Sequence, residues 1–416
     1  MLLAVGGLPI GVERCSKRPS SGRHHGPIHS TSYRILRRPA SFWVRHGTAS
    51  TAQPRVRSIE MRNISVDSAS ASSLPRKAAS FADCIIVWAK TPAGGVTLLI
   101  SATFLARLVL ASALGLGVDE SYMVAAGRNP QLSYFDHPPI GWWMAWAAAQ
   151  LTGSENALVV RLPFIALFAV TTWLMYRVTS ALFNPAAGLW SAVLFNLAPV
   201  FGISDASWVL PDGPLIAALL GATYCFIAAL GLSRRTSWGW WLGAGVCTGL
   251  ALSSKYSAAL PMIGAAGFLL TEPTSRRWLR APHPYVAGLV ALIIFLPIVF
   301  WNAQHGWISF FFQGGRVSGG FRPFGPILAL AGQAAFLLPW IWVPLVACGL
   351  IAIKHGPSDR KRWLLVCLAA PAIILFTGVA SWGNVLHHWA APGYLILLPL
   401  LGDAVARHWR MICSVT

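Results

Sequence analysis

The run VTLLISATFLARLVLASALGL occupies residues 96–116, and GVDE follows at 117–120. A helix needs roughly 20 apolar residues to cross hydrocarbon. This run has that length and carries one basic residue, Arg107. Two acids, Asp119 and Glu120, stand where the chain leaves it. Reading the remainder in the same way gives about ten spans: 96–116, 158–182, 187–203, 212–232, 239–253, 257–271, 284–301, 326–352, 363–381 and 390–406. The expected fold is therefore an all-α polytopic membrane protein.

Composition agrees. Of 416 residues, 55% are hydrophobic and only 11% charged, with a mean hydropathy of +0.58. A soluble domain carries about 25% charged residues, so a soluble enzyme, a nucleic-acid-binding module and a disordered scaffold all fit poorly. The net charge of +19 does not imply nucleic acid, because of where the charge lies. Much of it is in residues 1–90, a Ser-, Arg- and Pro-rich stretch without apolar periodicity that reads as a disordered extension. Arg-rich, acid-poor composition also suits a transit peptide, and Met61 is an alternative start. The membrane domain is expected over 91–410. Its Cys residues form no CxxC pair, so neither a disulfide framework nor a zinc site is indicated.

Lys and Arg favour cytoplasmic loops. With the N-terminus inside, the inner loops hold Arg234, Arg235, Arg276, Arg277, Arg280, Lys354, Arg360, Lys361 and Arg362, and the tail holds Arg407 and Arg410. The outer segments, 117–157, 204–211, 254–256, 302–325 and 382–389, carry few basic residues but most of the acids: Asp119, Glu120, Asp136, Glu155, Asp205 and Asp212. Glu272, Asp359 and Asp403 fall inside. His137, His305, His387 and His388 fall outside as well. An extracytoplasmic reaction centre explains this one-sidedness; a purely structural protein has no need of it.

Several constellations carry chemistry. Asp119–Glu120 supplies a general base and a partner that holds its geometry; the plainer reading is a solvated helix start. YFDHPP at 134–139 puts Asp136 and His137 in a proline-stiffened loop. Trp142, Trp143 and Trp146 follow it, on a stretch expected to lie as an interfacial helix. A simple aromatic anchor explains the tryptophans but not Asp136 or His137. Asp212, in PDGP at 211–214, either caps a helix or faces the same cavity as Asp119. Lys255, in SSKY at 253–256, runs against the charge bias and suggests an anionic partner: Asp212, Asp136 or a ligand phosphate. Snorkelling is the bland alternative. Tyr256 adjoins it. The loop 301–316, with His305 and Arg316, mixes aromatics, amides and Arg, as sugar-phosphate sites do. His387–His388 lacks metal-ligand spacing, so no metal site is assigned. Arg107 is expected to pair with a carboxylate or a lipid phosphate.

Taken together, Asp119–Glu120, YFDHPP (134–139), VRLP (160–163), PDGPL (211–215), SKYSA (254–258), WNAQHGW (301–307), FQGGR (312–316) and HWAAPGYL (388–395) resemble the bacterial glycosyltransferase family 39 group. That group is related to dolichyl-phosphate-mannose-protein mannosyltransferases and to the aminoarabinose transferase that modifies lipid A. The resemblance covers about residues 96–405. It implies a GT-C membrane fold and inverting transfer of a sugar from a polyprenyl-phosphate donor to a lipid A, glycan, lipid or protein acceptor on the periplasmic face of a bacterial inner membrane. It casts Asp119 as base and Glu120 as its partner. Asp136, His137, Asp212, Lys255, Tyr256, His305, Arg316 and His388 are the expected substrate-binding residues, with Lys255 or Arg316 on the donor phosphate. No cofactor is required, and a divalent cation near Asp119 is left open. The chain ends shortly after the last span, so the soluble C-terminal domain of some members is expected to be absent, leaving acceptor recognition to the loops. A transporter or flippase of a lipid-linked or anionic substrate is the alternative, although no clear repeat relates the two halves. A non-catalytic assembly subunit is a third reading.

Overall fold

The computed structural model describes residues 87–233, 236–316, 319–383 and 385–415. Of the expected extension over 1–90, residues 1–86, with the alternative start at Met61, lie outside them. Among the described residues all regular structure is helical. In chain order the helices are α1 (Pro92–Ala113), α2 (Val118–Gly127), α3 (Ile140–Thr152), α4 (Ala157–Leu182), α5 (Pro185–Leu197), α6 (Asp212–Ala229), α7 (Trp238–Leu252), α8 (Ala259–Thr271), α9 (His283–Gln304), α10 (Ile308–Gly315), α11 (Gly325–Leu337), α12 (Pro339–His355), α13 (Arg360–Val379) and α14 (Ala391–Val415). Local chemistry sets their starts. Thr91, Asn156 and Asn184 accept from the amides of Gly94, Val159 and Ala187 at 2.9–3.0 Å, so each caps an otherwise orphan donor. Pro92 and Pro185 occupy the first turns of α1 and α5, where a missing N–H costs nothing.

Among the described residues seven helices are long and apolar enough to cross a membrane: Pro92–Ala113, Ala157–Leu182, Asp212–Ala229, His283–Gln304, Pro339–Ser358, Arg360–Val379 and His387–Trp409. The chain is an all-α polytopic membrane protein. The expected spans 187–203, 239–253 and 257–271 fold as helices of 13, 15 and 13 residues, short of the roughly 20 that a perpendicular crossing needs. The single span expected at 326–352 is two helices. Pro339 disfavours helix at the residue before it, and Leu338 breaks the run with φ 73° and ψ 129°. Likewise 187–203 stops at Leu197. Pro199 interrupts it, and a π-turn, Val200–Asp205, follows.

Packing is by close approach of small residues, as lipid-immersed bundles require. A Cβ on Gly264 of α8 would stand 2.1 Å from the Cys367 carbonyl oxygen of α13. One on Gly245 of α7 would stand 2.4 Å from that of Ala287 in α9. The α6 and α14 helices are the most deeply buried of the membrane-length set. Arg107 pairs with no carboxylate among the described residues. It donates to Asn196 Oδ1 (3.2 Å) and to the Gly202 carbonyl (3.0 Å), and lies 4.4 Å from the centre of the Phe168 ring. The π-turn presents that carbonyl, which is why a cation at this depth needs no acid. The described cysteines, Cys225, Cys247, Cys348 and Cys367, are half-buried free thiols.

The two ends of the bundle differ as the charge pattern implies. At one end Glu272 pairs with Arg360 (2.9 Å), and Asp403 pairs with Arg362 (2.9 Å) and Arg407 (2.7 Å). Asp359 pairs with Arg362 and caps α13. These acids are engaged in holding helix ends together. At the other end the connecting segments bind one another. Ile140 donates to the Ser253 carbonyl (3.3 Å), Ser309 Oγ to that of Tyr134 (2.8 Å), and Arg322 N–H to that of Ser381 (2.7 Å).

Candidate active site

The site begins with a buried ion pair. Glu120 is 3% exposed and Arg161, in the first turns of α4, 4%. Arg161 Nε donates to Glu120 Oε1 (2.8 Å) and Nη2 to Oε2 (2.5 Å), a two-pronged fork. Its remaining donors reach the carbonyls of Leu114 (2.7 Å) and Gly115 (2.8 Å), at the end of α1. Glu120 also accepts from the amides of Gly117 (2.8 Å) and Val209 (3.1 Å). One carboxylate thus ties α1, α2, α4 and the 206–211 segment. Burial alone would raise its pKa. The Arg161 hydrogen bonds, the two amides and the Arg161 charge outweigh it and hold the carboxyl below the ordinary glutamate range. The neighbouring Asp119 points the other way. It is exposed, and among the described residues it takes no ion pair or side-chain hydrogen bond. The clamp therefore fixes the turn from which an unengaged carboxylate projects.

The Asp136–His137 loop is held from two sides. Tyr134 stacks on Trp142 (4.6 Å between centroids, 11° between planes). From α10, Ser309 and Gln313 donate to the carbonyls of Tyr134 and Asp136. Trp142 is 1% exposed; it is a core residue rather than a membrane anchor. Asp136 Oδ2 lies 3.1 Å from His137 Nδ1, and Tyr122 OH donates to Oδ1 at 3.2 Å. Burial would raise this carboxyl too; His137 and Tyr122 outweigh it and keep it low.

Of the two carboxylates open to Lys255, Asp212 is the one it pairs with. Lys255 Nζ reaches both carboxylate oxygens, at 2.7 and 2.9 Å. Asp212 makes no cap to α6. Charge interactions extend from this pair to His388 and His137, so Asp212, Lys255, His137 and His388 share one electrostatic neighbourhood. Asp205 belongs to it as well. It ends the π-turn, is 5% exposed, and its carbonyl packs against Gly213. Burial, and then the charge of Asp212, pushes its carboxyl well above the usual range, only partly offset by Lys255. Tyr256 OH stands 3.4 Å from both Ser133 Oγ and Asn302 Nδ2.

Arg316 is paired with rings: its guanidinium lies 4.9 Å from the centre of Phe312 and 5.0 Å from that of Trp389. Trp389 adjoins His388, which brings beside the cluster a cation that has no carboxylate partner among the described residues. His305 stands apart. It stacks on Trp301 (3.9 Å, 12°), and its Nδ1 lies 2.8 Å from the Trp301 carbonyl. Among the described residues no three His, Cys, Asp or Glu side chains gather to hold a metal ion. Arg161, Asp205 and Gln313 were not among the expected site residues. For Arg161 a signal existed, since it is a basic residue on the acid-rich side.

Fold and site together define a class: an all-helical polytopic membrane protein with a polar site at one end of its bundle. Residues 136–301 match the family described as dolichyl-phosphate-mannose-protein mannosyltransferase. The chain is 24% identical to the lipid A galacturonosyltransferase RgtD of Rhizobium johnstonii over 290 residues, 67% of this chain and 58% of that protein. It is 28% identical to the undecaprenyl phosphate-alpha-4-amino-4-deoxy-L-arabinose arabinosyl transferase 1 of Sodalis glossinidius over 267 residues, 59% of this chain and 45% of that one. Its fold matches ArnT from Cupriavidus metallidurans in the apo state with TM-score 0.59 at 18% identity, covering 77% of this chain and 62% of ArnT. The resemblance read from the sequence holds, and so does the fold it implied. The chain spans less than two thirds of the length of each of these relatives.

Proposed function

We propose that this chain is an inverting membrane glycosyltransferase that moves a sugar from a polyprenyl-phosphate donor to a lipid, glycan or protein acceptor. The observation that carries this is the pairing of the Arg161–Glu120 clamp with the unengaged Asp119 at the bundle end that also holds Lys255, Arg316 and His388. Asp119 removes the acceptor hydroxyl proton as that oxygen attacks the anomeric carbon. The bond from that carbon to the phosphate oxygen breaks, and the polyprenyl phosphate leaves with the electron pair. Placed general bases of this kind typically contribute about 10²–10⁴-fold. Arg316 and Lys255 stabilise the departing phosphate. Asp212, His137 and Tyr256 lie beside it and Asp136 flanks it, while His305 stays on the Trp301 ring. Similarity to proteins named as sugar transferases, and to ArnT, supports the reading. The basic loops at the opposite end support a site on the periplasmic face of a bacterial inner membrane.

A transporter would place its polar groups near mid-depth. Here the one such cation described above, Arg107, is bound to Asn196 and Gly202. The test is incorporation of labelled sugar from a synthetic polyprenyl-phosphate donor in proteoliposomes. Transfer is expected for the wild type and its loss for Asp119→Asn. Full transfer by Asp119→Asn removes the proposed base, and donor flux across the bilayer without transfer favours the transporter.

A further inference from the structure

Across the 129–137 loop from Asp136 and His137 lies an open pocket of about 820 Å³. Its walls are Trp143 and Trp146 of α3, Trp301 of α9, and the exposed loop residues Asn129, Gln131 and Leu132. Leu132 also lines a second groove, of about 610 Å³, that runs along α9 past Ile293, Leu296 and Phe300. These three side chains are 53–57% exposed on a helix of membrane length. An aromatic, amide-bearing pocket thus meets a membrane-facing apolar groove at one leucine.

The tryptophans differ from an interfacial anchor in one respect. Interfacial indoles combine an apolar ring with an N–H that stays at the wet boundary. Here two of the three N–H groups are turned inward to one residue. Trp143 Nε1 donates to the Gln131 carbonyl and Trp301 Nε1 to Gln131 Oε1, each at 2.9 Å. His305 covers one face of Trp301. Gln131 thereby fixes two indole planes, leaving ring faces toward the pocket. Among the described residues the Asn129 side-chain amide takes no hydrogen bond, and neither does Gln131 Nε2. Rigid aromatic faces with uncommitted amides fit a sugar ring, and the adjoining groove fits an acyl chain.

We propose that this composite groove is a binding site for an acylated glycan, with its sugar on Trp143, Trp146 and Trp301 and its acyl chain along α9. It rests on the transferase reading only in that the bound glycolipid is then the acceptor; the binding itself does not require turnover.

The experiment uses the full chain in detergent, with native mass spectrometry reading the occupancy of lipid A as the acylated-glycan probe, phosphatidylglycerol as the sugar-free probe, and undecaprenyl phosphate. Lipid A is expected to bind the wild type at least about tenfold more tightly than phosphatidylglycerol, and Trp143→Ala or Trp301→Ala to weaken it by about tenfold, as loss of an aromatic anchor does. Undecaprenyl phosphate binding is expected to be unchanged in both variants. Trp301→Phe should recover most of the loss, which a folding defect would not allow. Equal affinity of the wild type for lipid A and phosphatidylglycerol overturns the proposal. So does wild-type lipid A binding by the two alanine variants. If undecaprenyl phosphate fails to bind while lipid A binds in a tryptophan-dependent way, the groove stands and the proposed donor falls.

Discussion

Replacing Arg161 with alanine separates two roles that adjacent carboxylates seem to share. In the wild type the guanidinium makes two short bonds to Glu120 and three to carbonyls at the end of α1. Both partners are almost fully buried. Without Arg161 the Glu120 carboxylate keeps the Gly117 and Val209 amides but no countercharge. Leaving one member of such a pair unpaired costs about 3–5 kcal/mol. The matched change is Asp119→Asn. Asp119 is exposed with no partner that its loss would orphan, so its stability change is expected to stay within about 0.5 kcal/mol, while transfer falls by about 10²–10⁴-fold. Reversible unfolding in mixed micelles, beside the transfer assay, reads both quantities. Arg161→Ala should lose stability and activity together; Asp119→Asn should lose activity alone. Adding Glu120→Gln to Arg161→Met removes both charges and should recover part of the stability lost by Arg161→Ala. The reasoning fails if Arg161→Ala unfolds within about 1 kcal/mol of the wild type, well below the expected pair-breaking cost, or if Asp119→Asn is as destabilising as it is.

Three further outcomes follow from the same contacts. The folded-state pKa of Glu120 lies below its ordinary value of 4.5, so its contribution to stability is present above that value and is lost as pH falls through the lowered folded one; a melting-temperature series against pH should show this acid limb, and Glu120→Gln should flatten it. Lys255→Ala leaves the buried Asp212 without its cation and is expected to cost about 3–5 kcal/mol and abolish transfer, whereas Lys255→Ala with Asp212→Asn should regain stability but not activity; a single variant as stable as the wild type would contradict the assignment. Gly264→Ala drives a methyl group into the α13 backbone and is expected to lower stability by about 1–3 kcal/mol through overpacking, measured as the unfolding midpoint in detergent.

Much of the fold was legible because the driving pattern is local. Apolar runs such as 96–116 and 284–301 are long enough to reveal membrane helices without any knowledge of neighbours, and α1 and α9 appear close to where they were expected. Breaks were harder to read. The division at Leu338 lies at a positive φ that no count of apolar residues reveals, and the π-turn after Pro199 is completed by Arg107, far away in sequence.

The site divides along the same line. Residue types and their spacing were enough to show that most of the acids after residue 90 fall on one side of the expected loops, because charge bias between loops is set by the membrane and can be counted along the chain. Partnership was not countable. Asp119 and Glu120 are adjacent and chemically alike, yet Glu120 is locked to Arg161 and Asp119 faces out; Lys255 had two candidate carboxylates and took Asp212; His305 went to an indole rather than to the polar cluster. Such choices depend on which side chains helix packing brings within about 3 Å, across separations of 41 and 43 residues for the two buried pairs, and only the assembled bundle sets those distances.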